Sequence, residues 1–126
     1  MIPGTIIDDR YTVESTLGRG GMAQVYLVRH RQLNSLHALK VLTISGAGIR
    51  ERLVREGRVQ GTLQHPNVVS VTDLVDIDGT PGLVMEYVRG PTLQQLLALC
   101  RPTLGQIDRL ARGILKGVSA AHAHGL

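Results

Sequence analysis

The sequence predicts an α+β protein in which an antiparallel sheet comes first and helices follow. Two observations carry this. Up to about residue 88, β-rich runs alternate with turn signals and are broken by one helical stretch. Beyond Arg89-Gly90-Pro91, apolar residues recur at steps of three and four to the end. The order read is β-β-β-α-β-β-α-α, with a composition break at Arg89-Gly90-Pro91.

The first strand is Arg10–Leu17, closed by Gly18. After a Gly-rich turn, Gln24–His30 resumes β-rich chemistry. Leu33-Asn34-Ser35 turns the chain into Leu36–Leu42, where Ala38 and Lys40 alternate faces with Leu39 and Val41. Three such strands in succession make a meander. A helix follows, with Ile49, Leu53, Glu56, Val59 or Gln60, and Leu63 on one face. His65-Pro66 stops it, because the residue before proline disfavours the α region. Val68–Asp76 and Gly82–Val88 form a hairpin around Asp78-Gly79. Thr92 with Gln95, and Thr103 with Gln106, have capping-box spacing ahead of two helices. The second helix carries an apolar stripe: Ile107, Leu110, Ala111, Ile114, Leu115, Val118 and Ala121.

Composition narrows the function classes. A hydrophobic fraction of 43% and a charged fraction of 19% over 126 residues describe one ordinary globular domain. Three Tyr and no Phe or Trp leave the core to Leu, Val, Ile and Ala. The net charge is +4, from twelve Arg and two Lys against ten acids, but the basic residues are scattered. That argues against a nucleic-acid partner, which would also want more aromatics for base stacking. The lone Cys100 fits a reducing, cytoplasmic setting. The first ten residues lack the pattern of a signal peptide, and no apolar run reaches membrane-spanning length.

Three features carry chemistry, and a pair of histidines is set aside. Leu17-Gly18-Arg19-Gly20-Gly21-Met22-Ala23-Gln24-Val25 sits between two strands, where glycines let backbone N–H groups fold over phosphates. A glycine-rich hairpin with no ligand is the plain alternative. A dinucleotide fingerprint needs a helix directly after the loop, and a Walker loop needs Gly-Lys-Ser/Thr; neither follows. Lys40 lies inside an apolar strand and so needs an anionic partner or a wet cleft, unless it snorkels from a sheet edge. Glu56 falls on the apolar helix face. It either pairs with Lys40 or is a surface acid held by Arg52 or Arg55. His122 and His124, two apart on a helix, point to different sides, so no metal site is expected there.

In ordered spacing these features resemble the N-terminal part of a protein kinase domain, most closely the eukaryotic-like Ser/Thr kinases of bacteria. Gly18-x-Gly20 with Val25 resembles the Gly-rich loop, and His37-Ala38-Leu39-Lys40 the strand that bears the phosphate-binding lysine. Glu56 takes the place of the helix-C glutamate, followed by His65-Pro66-Asn67. Met85-Glu86-Tyr87-Val88 resembles gatekeeper and hinge, and Ala120–Leu126 the approach to the catalytic loop. Ala23 stands for the third glycine, Met22 for the loop aromatic and His37 for a valine, and the Lys40–Glu56 interval is shorter than usual. Glu51 is a weaker candidate for the glutamate, lying off the Leu53/Leu63 face.

The resemblance implies a five-stranded antiparallel sheet with helix C in residues 1–88. Residues 89–126 would be the hinge and first two helices of the C-lobe. It implies ATP as ligand, walled by Leu17, Val25, Ala38 and Met85. The Glu86 carbonyl and Val88 N–H would meet the adenine edge, and Thr92 the ribose. The backbone of Gly18, Gly20, Gly21 and Ala23 would cover the phosphates, oriented by the Lys40–Glu56 ion pair. It implies transfer of the γ-phosphate to protein hydroxyls, with protein substrate and Mg2+ belonging to the complete domain. The His-Arg-Asp and Asp-Phe-Gly motifs do not occur in these residues, so the fragment is expected to be inactive alone. The alternative is a non-catalytic nucleotide-binding or interaction module. The stripe on the last helix predicts self-association through residues 93–118.

Overall fold

The computed structural model describes all 126 residues. Strands β1 (Ile6–Ile7), β2 (Tyr11–Arg19), β3 (Ala23–His30) and β4 (Leu36–Leu42) come first, then helix α1 (Ala47–Thr62). Strands β5 (Val71–Ile77) and β6 (Thr80–Glu86) precede helices α2 (Leu93–Leu99) and α3 (Leu104–Ala123). All pairings are antiparallel, in the spatial order β1-β2-β3-β4-β6-β5. The turn residues follow the conformations their chemistry allows. Asp78 and Gly79 both have positive φ (51° and 84°), as a two-residue hairpin of this hand requires. Asn34 also has positive φ, at 58°.

Alternation along the strands assigns the two faces. Tyr11, Val13, Tyr26, Val28, Leu39, Val75 and Val84 are buried together with Ile7 on one face, the inside of a curled sheet, so two of the three tyrosines join a core expected to be aliphatic. The edge strands β1 and β5 come against each other as the sheet curls. Side chains close the seam. Arg10 Nη1 donates to Asp73 Oδ2 at 2.5 Å, and the Tyr11 hydroxyl donates to the same oxygen at 2.8 Å. Tyr11 stands edge-on to His30 and His37, with ring centroids 5.1 and 5.8 Å away.

The sheet has six strands where five were expected. The extra strand, β1, has only two residues, too few to show a period of two in the sequence. Its pairing with β2 is extended by Gly4 N donating to Val13 O and Val13 N to Thr5 O. Several strand ends also differ: β2 runs on to Arg19, past the Gly18 expected to close it, and β6 starts at Thr80 rather than Gly82. β5 starts at Val71 rather than Val68, because Val68 N turns back to His65 O. β6 ends at Glu86, two residues before Val88.

Close approaches through glycine hold the helices. On α1, a Cβ at Gly57 would stand 2.5 Å from Leu83 Cδ2 on β6, so the glycine lets the helix lie close on the sheet with Leu83 in its present place. On α3, a Cβ at Gly117 would lie 2.6 Å from the Asn67 carbonyl oxygen, and one at Gly113 3.2 Å from Asn67 Nδ2. The loop after α1 therefore seats in a shallow groove of α3. Both C-terminal helices begin with reciprocal capping boxes at Thr92/Gln95 and Thr103/Gln106, as the spacing predicts. They do not fold back over the sheet: Leu97, Ile107, Ile114, Leu115 and Val118 are exposed, and Gly117 is the one buried residue of α3.

These contacts predict opposite outcomes for two glycine-to-alanine changes. Gly61→Ala meets nothing within 4 Å and gains helix propensity, so it stabilises by up to about 1 kcal/mol. Gly117→Ala meets backbone and destabilises by about 1–3 kcal/mol, the usual cost of overpacking. Thermal melts followed by circular dichroism check both; a Gly117→Ala melt at or above wild type would show that α3 is not seated on Asn67.

The seam also sets a pH dependence. Burial first, then the bond to Asp73, pushes the Tyr11 hydroxyl up to about 12 from an ordinary value of 10.0. The folded state disfavours the phenolate, so this contribution is intact below pH 10 and is lost as pH rises from 10 to 12. Burial, then the neighbouring His30, lowers His37 below its ordinary 6.5, against the pull of Asp73. The folded state disfavours its imidazolium, so this contribution is intact above pH 6.5 and fades as pH falls through the depressed value. Urea denaturation across pH should show both flanks, and Tyr11→Phe should flatten the alkaline one while losing about 1 kcal/mol at neutral pH.

Candidate functional site

The outer face of the sheet carries the candidate site. Register places Val25 opposite Lys40 and Lys40 opposite Leu83; one row on, Leu27, Ala38 and Met85 stand side by side. Residues directly opposite in an antiparallel pair share a face, so Val25, Ala38, Lys40 and Met85 form one patch. Ala38 is buried at 7% exposure, and its small side chain keeps the middle of that patch low. His37 faces the other way, into the curl of the sheet, where its Nε2 lies 2.8 Å from Ser35 Oγ.

The Gly-rich turn overhangs this patch at the β2–β3 junction. Gly20 N donates to Ala23 O at 2.8 Å, and Thr43 N donates to Met22 O at 2.9 Å, which tethers the turn to the end of β4. Gly18, Gly20 and Gly21 all have ordinary φ, so no left-handed turn demands glycine there. A Cβ at Gly18 or Gly21 would meet nothing within 4 Å. Nothing in the chain packs against the places where those side chains would stand.

Met22, Ala23, Lys40, Leu53, Arg52 and Glu56 line a cavity of about 220 Å³ between this turn, β4 and α1, completed by Leu42 and Ile49. It gathers Lys40 and Glu56 as the sequence predicts, but the ion pair expected between them is not made. Glu56 Oε1 instead accepts from Arg52 Nε at 2.9 Å, and Lys40 has no carboxylate within 4.0 Å. The reason is local: Arg52 is one helical turn before Glu56 on the same face, whereas Lys40 must be met across the gap between α1 and β4. Glu51 faces elsewhere, lining a cavity on the other side of α1.

The remaining candidates lie outside that cavity. Leu17 is 42% exposed and sits at an irregularity in the β2–β3 register. Val88 is exposed, and its N–H makes no hydrogen bond within the chain. Glu86 pairs with His37 in register, and its N–H donates to Ser70 O at 2.9 Å. Thr92 Oγ accepts from Gln95 N at 3.1 Å; the cap uses its acceptor and leaves its O–H. Sequence reasoning missed Gly57, whose signal was a glycine in mid-helix without a turn to explain it. It also missed the Arg10–Tyr11–Asp73 seam, which joins residues more than sixty apart. Nowhere are three His, Cys, Asp or Glu side chains gathered to hold a metal.

A curled antiparallel sheet, one helix laid on it beside a strand lysine, and a glycine-rich turn above define the N-lobe of a kinase. Residues 11–126 match the family model described as the protein kinase domain, and the chain belongs to that family. Its relatives are bacterial Ser/Thr kinases. It is 35% identical over 128 residues to serine/threonine-protein kinase pkn3 of Myxococcus xanthus, covering 98% of this chain and 23% of the relative. It is 35% identical over 127 residues to PrkC of Bacillus subtilis, covering 98% and 19%. The PknI kinase domain of Mycobacterium tuberculosis superposes with a TM-score of 0.83 at 30% identity, over all of this chain and 52% of that one. The chain thus spans about a fifth of those curated relatives and about half of the solved kinase domain.

Proposed function

We propose that these residues form the ATP-binding portion of a protein kinase that phosphorylates Ser and Thr. Residues 1–88 act as the nucleotide-covering lobe, and 89–126 as the hinge and first helices of the second lobe. The observation that carries this reading is the pairing of Lys40 with the turn above it. A lysine on an apolar sheet face has no carboxylate partner, and two of the glycines overhanging it, Gly18 and Gly21, have no packing partner. Both suit a polyanion entering from outside.

The roles follow the chemistry of each group. Val25, Ala38 and Met85, with Leu17, present an apolar floor to a flat base, as ligand clefts generally do. The unbonded Val88 N–H and the Glu86 carbonyl supply fixed polar groups at its edge. The backbone of Gly18, Gly20, Gly21 and Ala23 lies over the phosphates, Lys40 binds them, and the Thr92 O–H is left to donate to the ribose. Glu56 orients Lys40 only after leaving Arg52. An exposed i,i+4 pair is worth about 0.3–0.5 kcal/mol, so a bound triphosphate that draws on Lys40 readily shifts that balance. Mg2+ enters with the Asp and Asn ligands of the complete domain.

Titration calorimetry with ATP should show weak binding by the 126-residue chain, reduced by Lys40→Met and abolished by Ala38→Trp. Binding indifferent to both changes would remove the assigned pocket. In the same preparations, labelled γ-phosphate should not move to a Ser/Thr peptide. Turnover that a point change in this chain abolishes would overturn the view that catalysis needs the missing motifs. The Arg52–Glu56 pair favours the second reading, a non-catalytic nucleotide-binding module, to this extent: a Glu56→Gln change with no effect on ATP affinity fits it better.

Association is the other expectation. Ile107, Ile114, Leu115 and Val118, with Leu93 and Leu97 on α2, expose an apolar stripe that nothing in the chain covers. Light scattering over a concentration series should show dimers or larger species joined through residues 93–118. A monomer at high micromolar concentration would sink this.

A further inference from the structure

The loop after α1 and the last helix frame a recess that the nucleotide reading does not use. His65, Leu115, Lys116, Ser119, Ala120 and Ala123 line it, and its volume is about 460 Å³. Lys116, Ser119, Ala120 and Ala123 recur at steps of three and four, so they share one face of α3. Alanine at 120 and 123 keeps that face low beside the loop. The two walls are fixed to each other. A Cβ at Gly117 would lie 2.6 Å from the Asn67 carbonyl oxygen, so the loop rests on the helix backbone itself.

Three polar groups of this lining are unspent within the chain. His65 Nδ1 accepts from Asn67 N at 3.1 Å, so in the neutral ring Nε2 carries the hydrogen and is free to donate. Lys116 has no carboxylate within 4.0 Å. Beyond its cap, the side-chain hydrogen bonds of α3 run from Arg112 to Asp108 and between His124 and Ala120 O, which leaves the Ser119 hydroxyl free. The two segments that frame the recess, residues 57–72 and 109–126, contain no acid. Three donors from two elements, one of them a full cation, therefore line one recess with no acceptor side chain among them.

We infer that this recess binds a phosphomonoester, presented by a phosphorylated Ser or Thr side chain of a partner protein. A phosphate offers three acceptor oxygens in a tetrahedral array, one for each donor, and its charge is met by Lys116. The apolar wall of Leu115, Ala120 and Ala123 gives the ester carbon a place to rest. Other occupants fit less well. A carboxylate brings two oxygens to three donors, and a free phosphate leaves the apolar wall uncovered. Nucleic acid would find no aromatic side chain to stack on, since no Tyr lines the recess. An anionic membrane surface is read by clusters of Lys and Arg, and Lys116 is the one such residue here. This inference is independent of the nucleotide assignment.

Fluorescence anisotropy with the 126-residue chain tests it, using a short labelled peptide that is neutral apart from one phosphoserine. Binding should saturate. The same peptide with Ser should not bind, and with Glu it should bind at least about tenfold more weakly. Lys116→Gln should weaken phosphopeptide binding at least about tenfold. His65→Asn, whose Oδ1 can still accept from Asn67 N, should weaken it at least about threefold. Ala123→Leu, at an exposed position, should fill the recess and lose binding while melting no lower than wild type, which separates a blocked site from misfolding. Lys40→Met should leave binding unchanged, and inorganic phosphate should compete at least about tenfold more weakly than the phosphopeptide. Equal loss with Lys40→Met would put the phosphate in the nucleotide cavity and overturn the proposal. Equal affinity for inorganic phosphate would overturn the protein-borne ester. No binding at millimolar phosphopeptide overturns the site altogether; co-sedimentation with phosphatidylserine vesicles in that case would assign the cations of α3 to a membrane surface.

Discussion

Strand β4 is hydrogen-bonded on both sides, to β3 and to β6, and cannot rotate about its own axis. Leu39 at its centre is fully buried inside the curl of the sheet. Side chains alternate along a strand, so burying Leu39 turns Ala38 and Lys40 outward. A slip of one residue would bring Lys40 into the core, where an unpaired ammonium costs several kcal/mol or more. The position of the site lysine is therefore set by a leucine that never touches the site.

The other parts are held less firmly, and in a definite order. The sheet is closed by side chains rather than by backbone ladders at the β1–β5 seam, where Asp73 serves both Arg10 and Tyr11. Helix α1 lies on the sheet through Leu53 and the Gly57–Leu83 approach, with one side-chain bond from Gln60 Nε2 to Val69 O, so its distance from β4 depends mainly on packing. That distance governs whether Glu56 meets Lys40 or stays with Arg52. The C-terminal helices are tied to the rest mainly where Gly113 and Gly117 receive Asn67. Ordering thus falls from strand ladder to helix docking to a single loop contact, and Glu56, which the proposed nucleotide site requires to move, stands on a looser level than Lys40.

One helix separates two chemistries. Its face with Ile49, Arg52, Leu53 and Glu56 looks onto the lysine cavity, and its face with Arg50, Val54, Arg55 and Arg58 looks outward.

Much of this was legible in the sequence because its signals are local. The alternation around Leu39 and Lys40, the Asp78-Gly79 hairpin and the two Thr/Gln capping boxes each fall within a few residues, and local sterics and hydrogen bonding decide them. Ordered spacing of the Gly-rich loop, Lys40 and Glu56 fixed which residues belong to the candidate site. Tertiary structure decided which of them meet. Strand β1 exists because β2 offers it a free edge, and two residues carry no period of their own. The seam at Asp73 joins positions remote in sequence, so no spacing could announce it. Glu56 lies on the face that spacing predicts, yet it takes Arg52: a partner one turn away costs no loop closure, whereas Lys40 requires α1 to approach β4. Which neighbour a charged group keeps is settled by distances across elements, and those appear only once the chain has packed.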